Sequence, residues 1–229
     1  MILRFTLITI FLFSAFTARA DEVLDRIVVT LNGHVILLSD WEDELRYESL
    51  MSGRKLEDVT AGEQKAALDH LIDQELMREQ MRPADSKPIP AEQIDKQVQV
   101  VKADVLRDDP GASWNEVLSK YRLSEDFVRS RIATELQQLQ LVDSRFRPSV
   151  QVSQAEIEQY YKDQLVPKLP VGDPVTLSEA TPKIREILLQ GKVNQMVDSW
   201  LESLRTQAQI KAFAGNSDNT SISRQVGSR

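Results

Sequence analysis

The 229-residue chain contains no cysteine. That excludes disulfides, a cysteine nucleophile and a lipid anchor of the bacterial thioether type, and leaves stability to the hydrophobic core. Histidine is nearly as scarce, with only His34 and His70. His34 follows a predicted tight turn, and His70 sits among Asp69, Asp73 and apolar neighbours. Neither has the H-x-x-x-H or Cys/His spacing of a metal site. Walker loops and G-x-G-x-x-G are also missing. Counting alone leaves a Ser-His-Asp arrangement open, but no nucleophile elbow accompanies it. The expectation is a protein without catalytic residues, cofactor or metal.

Long apolar runs are limited to one, Phe5 to Phe16, preceded by Arg4 and followed by Ala18-Arg19-Ala20. A dozen residues fall short of the roughly 20 that span a bilayer as a helix, so a cleaved secretory signal over 1–20 is favoured over a membrane anchor. Cleavage leaves 209 residues, enough to bury a sizeable core. Lys and Arg number 28 against 35 Asp and Glu, and losing Arg4 and Arg19 lowers the balance to 26 against 35. An acidic surface without a basic stripe argues against nucleic acid as a partner.

What is present is helical periodicity behind a short β signal. Arg26 to Leu31 and His34 to Leu38 flank Asn32-Gly33, the pair that tolerates positive φ at both turn positions, so a hairpin is predicted. An isolated hairpin is marginal in water and needs a third strand or a covering surface. Ser39 with Glu42, Thr60 with Glu63, Ser113 with Glu116 and Ser153 with Glu156 fit the S/T-x-x-E capping box and predict helix starts. Apolar residues at helical spacing follow: Leu68, Leu71, Ile72 and Leu76; Ile94, Val98, Val101 and Val105; and Val128 to Phe146, ending before Pro148.

Pro167, Pro170, Gly172 and Pro174 then mark a linker, and residues 178–208 read as one long helix with a possible kink at Gly191. Ile210 to Phe213 is a short strand-like run before a Gly/Ser/Asn-rich tail. The predicted divisions are a signal at 1–20, a helical module at 21–166, a linker at 167–177, a returning helix and strand at 178–213, and a disordered tail at 214–229. The fold class is mainly α, a multi-helix module with a small N-terminal hairpin.

Taken in order, "RIVVTLNGHVILLSDWEDELR", "TAGEQKAALDHLIDQELMREQ", "SWNEVLSKYRLSEDFVRSRI", "RPSVQVSQAEIEQYYKDQ" and "KIREILLQGKVNQMVDSWLESLRTQAQIKAF" resemble the N-terminal chaperone module of SurA-like periplasmic proteins. The likeness spans residues 22–213 and rests on the order of the parts. It implies that the last helix returns to the first domain and that a C-terminal strand pairs beside the hairpin. In that family parvulin isomerase domains usually lie between the "SQAEIEQYY" helix and the closing helix. Here about ten residues fill that interval, so the resemblance implies a chaperone module without prolyl isomerase activity.

The implied function is a periplasmic, ATP-independent holdase for unfolded or extended polypeptides, outer-membrane protein precursors among them. The alternative is an adaptor that uses the same scaffold to bind one specific partner. Unbranched methionine adapts to varied surfaces, which makes Met51, Met77 and Met81 the candidate peptide-binding residues, against the plainer reading that they fill core gaps. Trp41, Trp114 and Trp200 are expected in the core. The acidic runs Glu42-Asp43-Glu44 and Asp108-Asp109 read as caps, turns and solvated faces.

Overall fold

The computed structural model describes residues 25–81, 88–107, 109, 111–169 and 175–213. The predicted signal at 1–20, the breakers Pro170, Gly172 and Pro174, part of the Asp108-to-Gly111 turn, and the tail at 214–229 lie outside the described residues.

Asn32 and Gly33 take φ of 49° and 92°, which lets β1 (Ile27–Leu31) reverse into β2 (His34–Leu37) across two residues. The third strand predicted for this hairpin is present. β3 (Ile210–Ala212) pairs antiparallel with the other side of β1, giving the order β2-β1-β3. The register fixes where backbone groups point. Leu31 and His34 flank the turn and form a hydrogen-bonded pair, so the next pair, Thr30 and Val35, turn their N–H and C=O groups away from each other. Those of Thr30 meet Lys211 of β3, while those of Val35 face the open side of β2.

Among the described residues seven α-helices follow the hairpin: α1 (Leu38–Ser52), α2 (Ala61–Glu79), α3 (Ala91–Arg107), α4 (Trp114–Tyr121), α5 (Glu125–Phe146), α6 (Gln154–Tyr160) and α7 (Leu177–Gln207). The boxes at Thr60, Ser113 and Ser153 cap α2, α4 and α6. The expected box at Ser39 does not form. Helix α1 starts two residues earlier, with Leu37 at its N-cap, Asp40 accepts from the Leu37 N–H at 2.9 Å, and the Ser39 hydroxyl bonds to Asp25 instead. A box that was not anticipated, Thr176 with Glu179, opens α7, which passes through Gly191 as one helix. Leu177 therefore belongs to this helix, and the other end of the predicted linker, Pro167 and Lys168, lies in a 3-10 turn.

Apolar side chains gather in three clusters. One joins α1, α3, α4 and α5 through Tyr47, Leu50, Val98, Trp114, Val128 and Ile132. A second sits between the sheet and α2, with Val29, Leu31, Ile36, Ile72 and Leu76 against Leu204 near the end of α7. The third packs α6 against the start of α7 through Ile157, Ala180 and Ile184. Helix α7 is thus held at both ends. About two turns before its end, Trp200 meets Phe146 edge to face at 5.4 Å, with the Arg145 guanidinium 4.7 Å over the indole. No helix among the described residues is long and apolar enough to cross a membrane.

Candidate functional site

A cleft of about 380 Å³ opens where β2, α1, α2 and α5 converge. Its apolar lining is Val35 and Ile36 from β2, Leu71 and Met81 from and just beyond α2, and Phe127 from α5. Gln74, Gln137 and Gln138 add amides that can donate or accept. Two cleft arginines are each engaged by a neighbouring carboxylate. Arg78 holds Glu75 through Nε at 2.7 Å and Nη2 at 2.6 Å, and Arg131 holds Glu44 through Nε at 2.8 Å and Nη2 at 2.6 Å.

The Glu44–Arg131 pair is the buried centre of the site. Glu44 is 2% exposed and Arg131 7%. Burying either charge alone is costly, and the bidentate geometry is what makes the pair tolerable. Around it, His70 Nδ1 of α2 lies 2.9 Å from Glu44 Oε1 and 3.2 Å from Glu48 Oε1. The Arg131 guanidinium carbon sits 5.4 Å from the centre of the Tyr47 ring. Burial alone would raise the Glu44 carboxyl, but hydrogen bonds from His70 and Arg131 outweigh it and hold the group below its ordinary value. Burial raises Glu48 and Glu135 instead. His70 is raised because its hydrogen bond to Glu44 favours the imidazolium. The Tyr47 hydroxyl, buried and close to Glu135, is pushed well above its usual value.

This corrects the reading of Glu42-Asp43-Glu44 as a solvated run, because Glu44 points inward. Glu44, Glu48 and His70 also place ligand-type atoms within 4.8 Å of one another, the described group that could hold a metal. A divalent ion there would take the place of the His70 proton and share Glu44 with the fixed charge of Arg131, so the donor set favours the imidazolium as the resident cation.

The candidate methionines do not converge. Met81 lines the cleft. Met77 is buried, where it packs rather than presents a surface. Met51 is exposed at the end of α1 and borders a separate depression with Val105, Val117 and Tyr121. Of the tryptophans, Trp114 is buried, whereas Trp41 and Trp200 are only partly so, and Trp41 Nε1 donates to the Gln64 carbonyl at 2.8 Å. His34 is exposed, 3.1 Å from Glu75.

Phe127, Arg131 and the α5 glutamines are among the cleft residues that sequence reasoning passed over. The signal for Arg131 was positional, since it follows Val128 by three residues and so shares that buried face. No protein-family model and no curated protein matches the chain.

Proposed function

We propose that this chain is an exported, periplasmic, ATP-independent chaperone, a SurA-like N-terminal module without an isomerase domain, that holds extended segments of unfolded proteins. The observation that carries the reading is the open cleft, in which apolar side chains, amides and charged groups line a space beside an unpaired strand edge. Such a surface suits a ligand recognised by shape, greasy contact and backbone hydrogen bonding. The return of α7 and β3 to the N-terminal hairpin is the topology that the resemblance implies, and it adds support. Outer-membrane protein precursors are the fitting clients, because they expose alternating apolar residues and unpaired strand edges before assembly.

The test is suppression of aggregation of several unrelated denatured proteins at near-stoichiometric ratio. Met81→Ser should weaken protection, since it alters the cleft without touching the buried pair. A well-folded preparation that protects none of them removes the chaperone reading. Protection of one alone favours a dedicated adaptor.

A further inference from the structure

The lining of the cleft is not electrically balanced. Its described acids are Asp40, Asp43, Glu44 and Glu75, and its described cations are Arg78 and Arg131. Each cation is already bound in bidentate fashion by Glu75 or Glu44. Among the described residues that line the cleft, Asp40 and Asp43, one turn apart on α1, thus have no cation of their own. Asp40 spends Oδ2 on the Leu37 N–H, and Asp43 is paired on its other side with Arg46, which does not line the cleft.

The β2 wall of the cleft carries the free backbone groups of Val35. Its side chain is 44% exposed, and the pairing register directs its N–H and C=O away from β1. The open edge is closed to further pairing on its C-terminal side, and at its other end it gives way to the Asn32-Gly33 turn. The Leu37 N–H is committed to Asp40, and the backbone of Ile36 faces β1. An incoming strand therefore finds one docking residue, with two carboxylates a short distance away along the chain that leads from β2 into α1.

We infer that the cleft selects extended polypeptide segments carrying a lysine or arginine, docked by backbone hydrogen bonds to Val35 with the cation set on Asp40 and Asp43. This rests on the peptide-holding reading and narrows it to a chemical class of segment. Charge complementarity supplies the selection: a basic side chain neutralises the cleft's surplus of negative charge, whereas an acidic one adds to it. The apolar lining from Leu71, Met81 and Phe127 contributes affinity without regard to that charge.

The experiment uses three fluorescein-labelled peptides of alternating Val, Tyr and Ser that differ only at the central position, which is Lys, Gln or Glu. Anisotropy titrations at low salt should rank them Lys, Gln, Glu. Two exposed charge contacts of the usual strength make the Lys peptide about fivefold tighter than the Gln peptide. Asp40→Asn with Asp43→Asn should erase that ratio, and Asn keeps an acceptor for the helix start. Raising salt on the unaltered protein should collapse the same ratio without any substitution, while Met81→Ser should weaken the Lys and Gln peptides equally. Equal affinity of the unaltered protein for the Lys and Gln peptides overturns the cation preference and leaves peptide holding intact. Binding of none of the three overturns both.

Discussion

Asn32 and Gln209, 177 residues apart, exchange two hydrogen bonds: the Asn32 N–H donates to the Gln209 carbonyl at 3.1 Å, and the Gln209 N–H donates to Asn32 Oδ1 at 2.8 Å. The Asn32 amide also donates to Glu79 at 2.7 Å. One turn residue thus ties the hairpin to the C-terminal strand and to the end of α2. Asn32→Gly keeps the left-handed conformation but removes both side-chain bonds, and should cost about 1–2 kcal/mol. Asn32→Ala adds about 1 kcal/mol of backbone strain. Urea denaturation should rank the parent above Asn32→Gly and Asn32→Gly above Asn32→Ala. Equal midpoints for the parent and Asn32→Gly would mean that the side-chain bonds contribute nothing.

Truncation separates the strand from the tail. Removing residues 209–229 deletes β3, its ladder with β1, and the Phe213 N–H bond to the Val28 carbonyl at 2.9 Å. It should lower the melting temperature clearly, whereas removing 215–229 should leave it unchanged. Identical melting curves for both truncations and the parent would refute a structural role for β3.

The buried pair predicts strong non-additivity. Glu44→Leu leaves the Arg131 guanidinium without its main partner and should destabilise by about 3–5 kcal/mol, as should Arg131→Met. The double substitution removes both charges and should cost far less than the sum. Additive losses in a denaturation cycle would show that the two side chains do not depend on each other.

Stability should vary with pH in a sense set by the same cluster. His70, raised chiefly by its hydrogen bond to Glu44, binds its proton more tightly in the folded state. Glu48 and Glu135, raised by burial, do likewise. Their contribution is complete below the unfolded values of 6.5 for His70 and 4.5 for the glutamates, and is lost as pH rises through the folded values. Glu44 works in the opposite sense. Its contribution is present above 4.5 and lost as pH falls through its lowered folded value. Glu156, held at about 2 by Lys192 and Ser153, acts as Glu44 does. Melting temperature should therefore decline from pH 6 toward pH 9, and His70→Gln should flatten that decline. An unchanged slope in His70→Gln would assign it to other groups.

Features that depend on neighbours in the chain were legible in the sequence. Asn32-Gly33 named its own turn, and Thr60, Ser113 and Ser153 announced helix starts, because each device is complete within four residues. Ser39 failed for a reason of the same kind: Asp40 competes for the same start and takes the Leu37 N–H. The pairing of β3 followed from a need, since a lone hairpin requires cover. The centre of the candidate site was out of reach. Glu44 lies in a run of acids, yet residues two apart on a helix face different ways, so Glu42 remains at the surface side while Glu44 turns inward. Its partner stands 87 positions downstream on another helix. Only the spacing of Glu44 to Tyr47 and Leu50, three and six residues on, placed it on a buried face.

The position of β1 in the middle of the sheet governs the order in which the protein can be completed. Synthesis delivers β1 first and β3 about 180 residues later, so until β3 arrives the central strand has a partner on one flank alone. Closing so long a separation slows folding relative to the local helices. A nascent chain of this protein therefore passes through a stage in which its own unsaturated strand is exposed to neighbours, and that stage ends only when the strand that follows the seventh helix has been made.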